Sequence, residues 1–264
     1  MATSVSAAPL AGIAVVVTRP ARQAAAFAEK IAVLGATPIL FPAIAILPPE
    51  DRAALERVHA RLADYDFAFF VSANAVEYGA PDKGRWPRGL PAFAPGPGTA
   101  EALAAAGVDD VRVPSASLDS EGLLALPELA HPAGKRAVIF RGAGGRELLG
   151  DTLAARGAIV EYVSCYRRAL PSGGARGLLD ALGRRRRSVL TITSSEGLDN
   201  LWAMLGREDR ARLAALPLFA PHPRIAAHAR TLGFTVHQTG AGDAGLIAGL
   251  LEWAGRGGAA EASG

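Results

Sequence analysis

Short apolar runs rich in β-branched and aromatic residues alternate along this chain with alanine-rich stretches of helical spacing, and the two periods predict its elements. Strands are expected at Ile13–Val17, Thr37–Phe41, Phe67–Val71 and Ala92–Ala94, with helices at Gln23–Leu34, Ala53–Leu62, Asn74–Tyr78 and Thr99–Ala106. Further strands are expected at Ala137–Phe140, Ile159–Val163, Val189–Thr193, Leu218–Ala220 and Thr235–Gln238. Further helices are expected at Arg146–Arg156, Gly177–Leu182, Glu196–Leu205, Ile225–Leu232 and Ala244–Trp253. Runs that are apolar throughout belong to parallel strands covered on both faces, so the expected class is α/β.

The pattern is read twice, with an offset of about 122 positions. Ile13–Pro20 recurs as Arg136–Ala143, Gly35–Phe41 as Gly157–Val163, Asp66–Gly79 as Ser188–Leu201, and Pro91–Gly107 as Pro217–Gly233. An offset of domain size implies two similar parallel-sheet, flavodoxin-like lobes with a shared ligand. Two β-rich segments without helices, Phe41–Leu47 and Val163–Leu170, hold equivalent places and are read as a two-stranded connector. The expected division is residues 1–41 with 170–264, residues 48–163, and connectors at 42–47 and 164–169.

Composition narrows the function classes. With 264 residues and half of them hydrophobic, the chain has material for two cores. No apolar run spans a bilayer and Met1–Pro9 does not read as a signal peptide, so a cytoplasmic protein without a membrane partner is expected. The ends, Met1–Ala8 and Gly255–Gly264, are expected to be disordered. One cysteine, Cys165, excludes an internal disulfide, and five histidines without ligand spacing predict no metal site. A net charge of +3 does not call for nucleic acid, and Arg184–Arg187 reads as a solvated loop.

Chemistry in such sheets gathers at the carboxyl ends of the strands. The turns there hold Arg19, Ser72, Ala73, Asn74, Gly98, Thr99, Arg141, Gly142, Ser194, Ser195, His222 and Arg224, which are the candidate binding residues. Ser72, Thr99 and Ser194 are read as helix N-caps, and free N–H groups at helix starts suit an anion. Gly142–Gly145 lacks the lysine-serine ending of a phosphate loop and the spacing of a dinucleotide fingerprint, so no cofactor is expected. Tyr166, on the second connector, carries a phenol that is neutral at cellular pH and can donate a proton. Packing on a β-ladder is its competing role.

The ordered set VVVTRP, FFVSANAV, APGPGTAEALAAAG, VPSASLDSEGLLAL, VIFRGAGGRELLGDTLAARGA, the Tyr166 segment and TITSSEGLDNL resembles the uroporphyrinogen-III synthase family over nearly the whole chain. The turn Pro221–Ile225 departs from that family's pattern. The resemblance implies a monomeric lyase that cyclises hydroxymethylbilane to uroporphyrinogen III, with Tyr166 as the acid and with no cofactor or metal. It also implies a linear tetrapyrrole as small-molecule partner and a transient contact with the preceding pathway enzyme. The alternative is a non-catalytic bilobal protein that binds small anions.

Overall fold

A computed structural model describes residues 8–185 and 187–256. The chain opens with β1 (Ala14–Val17), α1 (Ala21–Val33), β2 (Thr37–Leu40) and β3 (Ala45–Leu47). It continues through α2 (Arg52–Ala60), β4 (Phe67–Phe70), α3 (Ala73–Gly79), β5 (Ala92–Phe93), α4 (Pro97–Ala105), β6 (Val111–Arg112) and α5 (Ser120–Leu124). Next come β7 (Arg136–Gly142), α6 (Leu148–Ala155), β8 (Ile159–Ala169), α7 (Arg176–Gly183), β9 (Ser188–Thr191), α8 (Ser195–Ala203) and α9 (Arg207–Ala214). The last elements are β10 (Leu218–Ala220), α10 (Pro223–Thr231), β11 (Val236–Gln238) and α11 (Gly242–Gly255).

Two compact units result: Met1–Ala45 with Ala169–Gly264, and Ile46–Arg168. The first holds a sheet of order β11-β10-β9-β1-β2, and the second a sheet of order β3-β8-β7-β4-β5-β6. The strand pairs β1–β2, β1–β9, β4–β7 and β7–β8 are all parallel. Alternation divides each strand between two cores. Val15 and Val17 join Phe27, Val189 and Phe219 on one face of the first sheet, while Val16 joins Leu190, Leu198 and Leu201 on the other. In the second unit Phe70 and Phe140 stack at 4.4 Å between ring centroids on one face, and Phe69, Phe93 and Ile139 fill the other.

The connector takes a form the hydrophobic pattern did not predict. Val163–Leu170 is not a separate strand: Ile159–Ala169 runs unbroken as β8, and only Ala45–Leu47 of the first connector is a strand, lying beside β8 at the edge of the sheet. The helix expected from Arg146 begins at Leu148, because Gly144 and Gly145 take positive φ angles of 78° and 113° that extend the turn. Of the Arg184–Arg187 run, Arg184 and Arg185 are exposed and Arg187 lies over Trp253, while Arg186 is outside the described residues. The ends expected to be disordered lie almost wholly outside the described residues as well.

Asp66 ties the starts of β4 and β7 together. Its carboxylate accepts from Lys135 Nζ at 2.8 Å and from the Arg136 N–H at 2.9 Å, and these hydrogen bonds hold its carboxyl below the usual value. A lowered folded pKa contributes stability above the unfolded value, which is lost as pH falls through the folded one. Asp66→Asn is therefore expected to melt below the wild type at pH 7, with the gap closing as the pH drops well below about 4. Melting curves across that range check it, and a gap independent of pH would contradict the charge assignment.

Candidate functional site

In the second unit the chain leaves β4 for a helix on one face and β7 for a helix on the other. Ala75 and Val76 of α3 pack with Phe70 and Phe140, whereas Leu149 and Leu153 of α6 pack with Phe69 and Ile139. Neighbouring strands whose helices diverge open a crevice at their carboxyl ends. A cavity of about 360 Å³ lies there, lined by Val71, Ser72, Arg141, Gly142, Tyr162 and Tyr166 among others.

A bulge aims Tyr166 at this cavity. Pairing between β7 and β8 runs Arg141 with Ser164 and then Gly142 with Tyr166, so Cys165 is the extra residue. Strand alternation would send two successive side chains to opposite faces, but the bulge brings both into the cluster of Phe70 and Phe140, leaving Cys165 0% and Tyr166 4% exposed. Burial pushes the Cys165 thiol up to about 12, which keeps it an unreactive thiol at neutral pH. The Tyr166 ring lies against Gly142, where a Cβ would come within 2.7 Å of Cζ. Its hydroxyl is 3.3 Å from Ser72 Oγ. Ser72 caps α3 by accepting from the Ala75 N–H at 3.1 Å, and Ala73 and Asn74 follow in the first turn, partly buried. A second cavity of about 620 Å³, bordered by Pro49, Glu50 and Arg167, also reaches Tyr166.

Arg141 is 8% exposed, donates from Nε to the Gly144 carbonyl at 3.1 Å and lies 4.9 Å from the Tyr162 ring centroid. The Tyr162 hydroxyl in turn donates to the Glu147 carbonyl at 3.1 Å, so both side chains hold the turn after β7. Burial raises the Tyr162 pKa, and its phenol stays protonated. Gly98 is exposed in the first turn of α4. Thr99 does not cap that helix: Gly96 is the cap, Pro97 is the first helical residue, and Thr99 is buried as the third.

The first unit places its candidates at its own strand ends. Thr18 Oγ1 donates to the Thr191 carbonyl at 2.8 Å and Thr191 Oγ1 to the Val16 carbonyl at 2.7 Å, which knits β1 to β9. Ser194 caps α8, accepting from the Gly197 N–H at 3.0 Å, and Ser195 opens the helix. His222 caps α10 through Nδ1, which accepts from the Arg224 N–H at 3.3 Å, and the Arg224 side chain is exposed. Arg19 is engaged within the protein: it is ion-paired to Asp243 at 2.5 Å and covers Phe27, and Lys30 adds a second bond to Asp243 at 2.8 Å. Burial opposes the charge on Asp243, but the hydrogen bonds from Lys30 and Arg19 outweigh it and hold the carboxyl below its usual value.

Tyr162, Val71 and Asp243 were not among the sequence candidates. Tyr162 has the one readable signal, standing four places before Tyr166 in the same apolar run, whereas Asp243 meets Arg19 across 224 positions. Among the described residues no three His, Cys, Asp or Glu side chains form a group able to hold a metal, and no helix is long and apolar enough to cross a membrane.

A family model described as uroporphyrinogen-III synthase HemD matches residues 25–241. The chain is 36% identical over 229 residues to the uroporphyrinogen-III synthase of Salmonella typhimurium strain LT2, covering 84% of this chain and 92% of the relative. It is 30% identical over 226 residues to that of Synechococcus elongatus, covering 82% and 85%. The solved uroporphyrinogen-III synthetase of Helicobacter pylori aligns with a TM-score of 0.59 over 93% of this chain and 99% of that one. At 14% identity that likeness speaks for the fold alone.

Proposed function

We propose a reaction for this chain from one premise: it belongs to the uroporphyrinogen-III synthase family. It closes hydroxymethylbilane to uroporphyrinogen III, with inversion of ring D and loss of water. The observation that carries this assignment is the family match across residues 25–241, joined by 36% identity over 84% of the chain.

Tyr166 is the acid in this reading. Its hydroxyl donates a proton to the departing ring A hydroxyl, which leaves as water, and an azafulvene electrophile remains on ring A. The substituted carbon of ring D attacks it to give a spiro intermediate, which fragments and recloses as the type III isomer, and the proton lost from ring D on reclosure restores the phenol. What supports the role is the placement of the phenol, 4% exposed, in the wall of a cavity and within 3.3 Å of the Ser72 hydroxyl. A buried phenol held by packing against Gly142 is fixed before substrate arrives, which favours proton transfer from a defined position. The substrate carries acetate and propionate chains on every ring. Its carboxylates are assigned to polar groups at the strand ends, among them Ser72 and Gly142 in the cavity wall of the second unit.

The test is conversion of hydroxymethylbilane by the purified protein, with the products oxidised and the two isomers separated by chromatography. Type III as the main product is expected. Type I alone, formed at the rate seen without protein, would overturn the reading.

A further inference from the structure

Duplication makes the two units a comparison within one chain. Arg19 after β1 and Arg141 at the end of β7 stand at matched strand ends, and each covers an aromatic ring, at 4.6 Å from Phe27 and 4.9 Å from Tyr162. They differ in charge balance. Arg19 is neutralised by Asp243. Arg141 is the one buried charged side chain among the described residues, and its hydrogen bond goes to the neutral Gly144 carbonyl. A cation withdrawn from water without an ion pair is costly, and an incoming anion offsets that cost.

The guanidinium lines the cavity of about 360 Å³ beside Gly142 and Tyr166. Arg146, a second cation of that wall, is exposed and already occupied by Glu121, with contacts of 2.9 and 3.3 Å. We propose that Arg141 is the carboxylate subsite of the second unit: it takes an acetate or propionate group of the tetrapyrrole, with the Tyr162 ring setting the plane of the guanidinium fork. Arg19, its counterpart, has the same origin and is spent on Asp243. The inference rests on the reaction assigned above, which supplies the carboxylates.

Binding of uroporphyrin III, followed by quenching of tryptophan fluorescence, tests this without turnover. Arg141→Gln is expected to weaken binding by about 10- to 100-fold, the loss of one charge-assisted contact. Arg141→Lys keeps the charge without the planar fork and should fall between that variant and the wild type. Arg19→Gln should lose less than Arg141→Gln. Should Arg141→Gln fail to fold in a melting experiment, Arg141→Met replaces it, since its unbranched stem still covers Tyr162. Wild-type affinity in either folded, uncharged variant would overturn the subsite, and an equal or larger loss in Arg19→Gln would overturn its assignment to the second unit. A wild-type protein that binds uroporphyrin III through Arg141 yet makes only type I product would instead overturn the reaction and leave the subsite standing.

Discussion

Tyr166→Phe is expected to slow type III formation by roughly ten- to a thousandfold while leaving the fold intact, the range for losing a positioned acid whose work water replaces in part. The substitution removes one oxygen and keeps the ring that packs beside Gly142 and Tyr78. Its hydroxyl contact with Ser72, at 3.3 Å, is long for an O–H···O bond, so little stability goes with it. Ser72→Ala supplies the contrast, because it removes the other side of that contact and the α3 cap. It should cost about 1 kcal/mol of stability and change the type III rate far less than Tyr166→Phe. Single-turnover and steady-state rates on both variants, with type I formed in solution subtracted, decide between the roles. Unchanged turnover in Tyr166→Phe would reduce the residue to packing.

The strand and helix alternation was legible because parallel strands covered on both faces have no polar side, so AVVV, FAFF and AVIF stand out against the alanine-rich helices. The duplication was legible for the same reason, and it reappears as one strand order: β11-β10-β9-β1-β2 matches β6-β5-β4-β7-β8 at repeat-equivalent positions. Helix α9 was not legible. Its sequence REDRARLA buries only Leu213, so it carries no apolar stripe to read. The cap of α4 was misplaced at Thr99, because the proline two positions earlier fixes the start of the helix. The candidate site was half legible. Ser72 and Ser194 announce themselves as caps before helical patterns, whereas the pairing of Arg19 with Asp243 depends on the fold of the whole first unit. The bulge at Cys165 lies in a run that reads as an ordinary strand. Alternation there would give Cys165 and Tyr166 opposite faces, and only the register of β7 against β8 turns both to the same one.

That register makes Gly142 the residue on which the Tyr166 position depends, and Gly142→Ala is expected to remove most of the type III activity. A Cβ on Gly142 would stand 2.7 Å from Tyr166 Cζ, 2.8 Å from Cε2 and 3.1 Å from the hydroxyl. The ring cannot yield freely, since it is 4% exposed and has Tyr78 and Ser72 as neighbours. Relief must come from rotating the phenol away from the cavity or separating β7 from β8, at a stability cost of about 1–3 kcal/mol for an overpacked core. A displaced acid works little better than an absent one, so the rate should fall at least about tenfold. The double variant with Tyr166→Phe identifies the route: two residues acting through one group give losses that do not add, and Gly142→Ala introduced into the Tyr166→Phe enzyme should slow it further by no more than about threefold. Melting curves and single-turnover rates on the two single variants and the double complete the cycle. Additive losses would place the effect of Gly142 on its own backbone contacts, and wild-type turnover in Gly142→Ala would show that chemistry does not depend on where the Tyr166 ring is held.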